Sequence, residues 1–504
     1  MGPSVLPSSG GSDTRPTTGS AMTTEATHTL PREEGCVPEV AAGPEVLEEW
    51  DGDLLSRDPL GFDEYHVPAA SDESARTALV RLGGSEAVWI DIDFRRQGGT
   101  MGAVAGERIV RAFDRAVALG LPVLETVSSG GARLQEGMVS LVQMARTSSA
   151  VARHRSAGLQ SAAYLRSPST GGVFASWASL ADLRAAEPAA TIGFGGPRVV
   201  AQVTGQFPPE TSHTAESALA AGLVDSIVPI DEQWAWLAAA IGAVRAPRMQ
   251  LPSSRSTAPD SSPLPEDDYE LLRRCRAAGR ASGLEWAAWL TDSWIEIRGA
   301  DPAIRAGLAT IDDRRVVVVA MDRHAGARPK FLPGPAAFRL AQRAIDLAGR
   351  LGLPLLTLID TPGADPAPAS EADGIAGEIA RTLLAMADCP STTVSLTVGE
   401  GGSGGAMALA HSDRMLTLEG SVFSVIGPEA GAMILHRDPS RAPELTRKLG
   451  IVPQRLLALG VVDLVLPEDV GTVRSAVTSA LVEAVPGQRN ARIDGLTAQA
   501  LIDR

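Results

Sequence analysis

Two stretches of the chain, roughly 230 residues apart, carry the same punctuation. Gly120-Leu121-Pro122, the apolar run Val123 to Val127 and Ser129-Gly130-Gly131-Ala132-Arg133 return as Gly352-Leu353-Pro354, Leu355 to Ile359 and Asp360-Thr361-Pro362-Gly363-Ala364. Ser169-Thr170-Gly171-Gly172-Val173 is answered by Gly402-Ser403-Gly404-Gly405-Ala406, and Ala221-Gly222-Leu223-Val224-Asp225 by Leu459-Gly460-Val461-Val462-Asp463. A unit this long is no solenoid repeat, so it predicts two homologous domains, each large enough for its own core. Such a pair can hold two ligands face to face.

Within each unit, strand and helix patterns alternate. Ala87 to Phe94 and Val123 to Val127 read as buried strands, and Arg108 to Leu119 and Leu134 to Arg155 as helices. Arg315 to Ala320, Leu355 to Ile359 and Thr392 to Val398 repeat the strand pattern, and Ala336 to Leu351 the helix. The fold class is therefore α/β, with helices covering sheets. The Ser-, Thr-, Gly- and Pro-rich start reads as a disordered tail over residues 1–48. A first domain spans 49–246, the Pro- and Ser-rich stretch 247–268 is the linker, and a second domain spans 269–504.

The net charge of −15 argues against nucleic acid as a partner, because phosphate-binding surfaces are basic. Cys36, Cys275 and Cys389 are too scattered for a disulfide framework or a metal site, which fits a reducing, cytoplasmic setting. No apolar run approaches the roughly 20 residues of a membrane helix.

The chemistry lies in the glycine pairs. Where a strand ends and a helix begins, the first backbone N–H groups lack intrahelical partners and carry the positive end of the helix dipole. Glycine there lets a substrate oxygen reach the main chain, forming an oxyanion hole. A lone pair is usually a plain connection; four, two per half, suggest two sites. The run 399–404 also fits the dinucleotide fingerprint, and 401–405 the serine-hydrolase elbow, with Asp413 and His436 as nominal partners for Ser403. Both matches arise from one glycine-rich loop, and that loop is not in the first βα unit, where a dinucleotide site belongs.

These residues resemble the carboxyltransferases of biotin-dependent acyl-CoA carboxylases, members of the crotonase-like superfamily. The first half is similar to the bacterial β subunit through Gly98-Gly99-Thr100-Met101-Gly102, Ser129 to Glu136, Thr170 to Val173 and Ile192 to Val199. The second half is similar to the α subunit through Asp360 to Ala364, Ile379-Ala380-Arg381, Gly399 to Ala406 and Ser424 to Glu429. The resemblance runs from about Asp58 to Glu468 and implies two crotonase-like (ClpP/crotonase) β-β-α superhelix domains in tandem, a fused β–α chain.

The resemblance also implies a reaction. Acetyl-CoA loses an α-proton to give an enolate, which takes the carboxyl group of carboxybiotin and yields malonyl-CoA for fatty acid or polyketide synthesis. Amides around Gly131-Ala132 and Gly171-Gly172 would hold the thioester oxygen, and those around Gly363-Ala364 and Gly404-Gly405 the biotin oxygen. Arg133, Gly99, Met101, Arg198 and Ala406 are expected around the ligands, with Arg133 and Arg198 as candidates for the CoA phosphates. No metal is expected, and biotin itself would take the proton, so no histidine is nominated. Neither lysine, Lys330 nor Lys448, has a biotinyl-carrier context, so the biotin carboxyl carrier protein and biotin carboxylase are expected as separate chains. A homo-oligomer, at least a dimer, is expected.

Several positions depart from the family pattern. Only Cys36 stands where β subunits carry a four-cysteine zinc ribbon. Asp365 and Ala367 stand where Tyr and Gly are expected, and Ala327 to Gly334 replaces a basic α-subunit segment. Asp365 keeps open a biotin-independent malonyl-thioester decarboxylase on the same fold. Propionyl-CoA carboxylation and a degenerate, non-enzymatic scaffold stay open beside it.

Overall fold

The computed structural model describes residues 43–501, except 59, 64, 261 and 326–331. The expected tail up to residue 42, Cys36 and Ala327 to Phe331 lie outside the described residues.

Each half folds into the same eight-stranded sheet. In the first, β1 (Glu45–Trp50), β2 (Ala75–Leu82) and β3 (Ser85–Ile92) form an antiparallel meander. Parallel strands follow: β4 (Val123–Ser129), β5 (Ser161–Thr170), β6 (Leu183–Ala186) and β8 (Ser226–Ile227), with β7 (Ile192–Gly193) paired to β5. The second sheet repeats this order with β9 (Ser293–Ile297), β10 (Ile304–Ile311), β11 (Arg314–Met321), β12 (Leu355–Thr361), β13 (Thr393–Gly402), β14 (Arg414–Leu418) and β16 (Leu464–Leu466), and β15 (Val422–Ser424) on β13. Residues 45–48, expected in the tail, are instead in edge strand β1, where Trp50 is buried and Glu45 and Glu49 pair with Arg81 and Arg76.

The crossover from β3 to β4 is the helix Ala103–Leu119, and that from β11 to β12 is Pro335–Leu351. Both stop at a glycine in the left-handed region, Gly120 at φ 69° and Gly352 at φ 63°. That is why the Gly-Leu-Pro signature recurs: glycine adopts this cap without a Cβ penalty.

Strand register fixes which residues are equivalent. The β4–β5 ladder slips after Val127↔Leu165, resuming at Ser129↔Ser169; the β12–β13 ladder slips in the same way, from Ile359↔Thr397 to Thr361↔Gly401. Ser129 therefore corresponds to Thr361 and Ser169 to Gly401, which makes Gly171 the counterpart of Ser403 and Gly172 that of Gly404. Gly171 and Ser403 both have positive φ, 66° and 55°. The pairing of Gly171-Gly172 with Gly404-Gly405 by composition alone is thus one residue out.

The halves share apolar contacts. Leu237, Ala238 and Ile241 of the first belong to the same buried cluster as Phe338, Leu340 and Ala341 of the second. Arg343 and Arg350, on the Pro335–Leu351 helix, reach Asp225 and Asp182 of the first half. The linker stretch lies against the second half, with Arg255 2.8 and 2.6 Å from the Asp322 carboxylate.

Candidate active site

At the end of β4, Ser129 turns the chain. Its hydroxyl donates to Gly99 O at 2.6 Å and accepts from Gly131 N–H at 3.0 Å. Arg133 N–H then donates to Met101 O and Met101 N–H to Gly131 O, so Ala132 lies between two fixed neighbours. Among the described residues nothing accepts from the Ala132 N–H. The second half builds the same turn at the end of β12. Gly363 N–H donates to Thr361 Oγ1 at 3.2 Å, Asp365 N–H donates to Pro333 O at 3.0 Å, and the Ala364 N–H between them is likewise unclaimed among the described residues. Ala132 and Ala364 are both partly exposed.

A short helix start faces each turn. Gly171–Phe174 and Ser403–Ala410 begin directly after β5 and β13, so Gly172, Gly404 and Gly405 sit in first turns whose N–H groups have no intrahelical partner. The approach is close. A Cβ on Gly131 would lie 2.9 Å from Gly171 Cα, one on Gly172 would lie 3.6 Å from Ala132 N, and one on Gly405 only 2.6 Å from Ala364 N. Each half thus brings a free alanine amide against a glycine-lined helix start, with the dipole's positive end beside it.

Ion pairs hold both sites from behind. Arg133 is 1 % exposed; its guanidinium donates to Glu73, to Glu136 Oε1 at 3.3 Å, to Tyr65 Oη at 3.3 Å and to Thr100 O at 3.0 Å. Burial pulls the Glu73 carboxyl up, but the Arg133 charge outweighs it and holds the group below its usual range. Burial pushes the Tyr65 phenol up to about 12. Behind the second site, Arg323 Nε sits 2.6 Å from Asp360 Oδ2, while burial holds the Asp360 carboxyl above its usual range. Arg276 forks onto Glu400 at 2.8 and 2.6 Å and reaches Glu429 at 2.8 Å, tying the end of β13 and the start of the helix Pro428–His436 to the helix Asp268–Cys275.

A family model for acetyl co-enzyme A carboxylase carboxyltransferase-like proteins matches residues 267–500. The acetyl-coenzyme A carboxylase carboxyl transferase subunits beta/alpha of Salinispora tropica is 40% identical over 445 residues, covering 82% of this chain and 78% of the relative. The chain belongs to the carboxyltransferases of biotin-dependent acyl-CoA carboxylases. It is a fused beta/alpha carboxyltransferase, as the Saccharopolyspora erythraea relative of the same name is, at 36% identity over 91% of this chain and 85% of that one. The fold is that of the tandem crotonase-like domains of transcarboxylase 12S, whose crystal structure superposes with a TM-score of 0.70 at 21% identity, over 84% of each chain.

In this carboxyltransferase several of the nominated residues are buried. Arg133, expected near the CoA phosphates, is a buried brace whose donors are spent on Glu73, Glu136, Tyr65 and Thr100. Met101 is fully buried, with its N–H and C=O both used to frame Ala132; a Cβ on Gly99 would lie 2.0 Å from Ser128 O; Ala406 is fully buried. These three shape the loops from beneath. Arg198 is exposed near the N-terminus of the helix Pro197–Thr204 and forms no ion pair with a described residue. Ser403, Asp413 and His436 make no triad: the Asp413 carboxylate is taken up by Thr393 and Arg489. Arg276 and Arg323 escaped sequence reasoning, because their partners lie 124 and 37 residues away.

Proposed function

We propose that this carboxyltransferase moves a carboxyl group from biotin on a separate carrier protein to acetyl-CoA, giving malonyl-CoA. The observation that carries the reading is the duplicated free amide, Ala132 N–H in one half and Ala364 N–H in the other, each against a glycine-lined helix start. Enolate formation places negative charge on the thioester oxygen, which would accept from Ala132 N–H and the first-turn amide of Gly172. Donors already aimed at the developing charge lower the barrier without reorganisation. The second cradle suits the ureido oxygen of biotin: it offers the unclaimed Ala364 N–H beside Gly405, whose lack of a Cβ lets the two backbones approach closely. Biotin supplies the carboxyl group and takes up the α-proton. Backbone dipoles carry the charge stabilisation.

The names of the beta/alpha relatives favour acetyl-CoA, whereas transcarboxylase 12S was solved with methylmalonyl-coenzyme A, the carboxylated form of a longer acyl group. A decarboxylase would draw its support from Asp365. That carboxylate accepts from Ala367 N–H at 3.1 Å and from the Ser370 hydroxyl, so it braces its own loop.

Exposed apolar side chains border both sites on equivalent elements: Phe194, Val199 and Val203 in the first half, and Val425, Ile434 and Leu435 in the second. Patches of this kind mark interfaces. They support a homo-oligomer in which the first-half site of one protomer meets the second-half site of its partner. None of the described helices is long and apolar enough to cross a membrane.

The test is the reverse reaction. The purified chain is incubated with malonyl-CoA, with and without free biotin, while acetyl-CoA release is followed. Release that requires biotin supports carboxyl transfer; equal release without biotin refutes it in favour of a decarboxylase.

A further inference from the structure

The two free amides do not have the same neighbours. In the first half, a Cβ built on Gly172 would meet Met144 Sδ at 3.1 Å and Cγ at 3.4 Å, so the thioether lies directly over that glycine. In the second half, a Cβ on the equivalent Gly404 meets only Ile379 Cγ2, at 3.8 Å. The first site is therefore more tightly walled beside its glycine, by Met144, than the second is by Ile379.

Met144 belongs to the helix Gly137–Ser156, which is firmly placed. Ser140 donates to Met101 O at 2.6 Å, directly beside the Ala132 turn, and Gln143 and Thr147 are buried on either side of Met144 in sequence. Met144 itself is partly buried and packs on the first-half core, with its thioether against Gly172. A thioester oxygen bound to the Ala132 and Gly172 amides puts its carbonyl carbon about one bond length beyond the oxygen, and the α-carbon one bond further. Met144 Sδ is the side-chain atom nearest a Cβ built on Gly172.

We propose that Met144 is the wall that limits acyl-chain length at the first site. It leaves room for an acetyl group and meets each methylene added at the α-carbon. The inference rests on the reading that the thioester binds at Ala132. A pocket wall of this kind distinguishes substrates one methylene apart by roughly 10-fold to 200-fold.

The experiment measures kcat/KM for biotin-dependent loss of the carboxyl group from malonyl-, methylmalonyl- and ethylmalonyl-CoA, using the full chain and its Met144→Ala, Met144→Leu and Met144→Phe variants. M144A is expected to raise the ratio of ethylmalonyl- to malonyl-CoA turnover about 10-fold or more. M144L, close in volume, keeps the wild-type ratio, and M144F lowers the methylmalonyl ratio. A purely structural role for Met144 would lower all three rates together and leave every ratio unmoved. That result in M144A, or in M144F should M144A not fold, overturns the proposal while leaving carboxyl transfer intact. Wild-type chain that shows no biotin-dependent turnover of any of the three overturns the carboxyl-transfer reading, and this inference with it.

Discussion

Arg343 of the second half grips Asp225 of the first, with Nη1 2.8 Å from Oδ1 and Nη2 2.9 Å from Oδ2. Asp225 is wholly buried and also accepts from the Arg184 and Arg298 N–H groups. The same construction recurs in the second half, where Asp463 accepts from Met415 N–H and from Arg492. A second arginine on each helix repeats the pattern, Arg350 on Asp182 and Arg489 on Asp413. The helix Pro335–Leu351 thus covers the first half as the helix Gln488–Ala500 covers the second.

That equivalence predicts unequal consequences. Burial raises the Asp225 carboxyl, but the Arg343 charge outweighs it and holds the group low. Arg343→Met leaves the buried carboxylate under-compensated and should destabilise the fold by about 3 kcal/mol. Because the folded value is depressed, the contribution is present above the ordinary carboxylate range and lost as pH falls through that depressed value. Arg492→Met should instead loosen residues 488–500. Hydrogen exchange distinguishes the two, with global loss of protection in the first variant and local loss in the second.

The repeat was legible because its signals are local. Gly120 and Gly352 sit where a left-handed cap is needed, and Pro122 and Pro354 follow at once. The strands around Val123 and Leu355 and the glycine loops after them announced themselves in the same way. What a linear reading missed is set by tertiary pairing. The slip in the β4–β5 and β12–β13 ladders has no composition signature, so the glycine pairs were matched one residue out. Arg133 looked like an anion ligand because its partner Glu73 lies 60 residues earlier, although Glu136, three residues on, also pairs with it.

Arg133 supplies a second prediction. If it braces the Ala132 loop, Arg133→Ala should act on stability, because removing one partner leaves Glu73 and Glu136 buried together without their cation. The expected loss is about 3–5 kcal/mol. Arg133→Lys should recover little of it, since an ammonium cannot span Glu73, Tyr65 and Thr100 as the guanidinium fork does. Thermal unfolding gives the stability loss. The brace fails as an explanation if both variants keep wild-type stability but show a raised KM for the CoA thioester.

Gly405→Val tests the second cradle. The added Cβ would lie 2.6 Å from Ala364 N, so the turn that presents this N–H must shift. Biotin-dependent turnover should be lost, by two to three orders of magnitude if the variant forfeits one preorganised donor. Binding of the CoA thioester, measured by calorimetry, should persist, because Ala132 and Gly172 lie in the other half. Normal carboxyl transfer by this variant would end the two-site account.

The last prediction concerns Glu125, in the middle of β4. Its side chain is fully buried, and neither carboxyl oxygen has a hydrogen-bond partner among the described residues. Burial, assisted by the nearby Asp182 charge, raises its carboxyl well above the usual range, which favours the neutral form in the fold. A raised folded value gives a contribution that is complete below the unfolded value of a glutamate and lost as pH rises, because the unfolded chain then gains by ionising. Glu125→Gln removes that proton linkage while keeping the shape. The variant should therefore gain stability over the parent chain as pH increases from about 5.5 to about 8, by up to about 1.4 kcal/mol per pH unit. Thermal melts of both proteins at the two pH values measure the gain. A stability difference that stays constant across this interval would mean that Glu125 is already ionised in the fold and compensated by a cation.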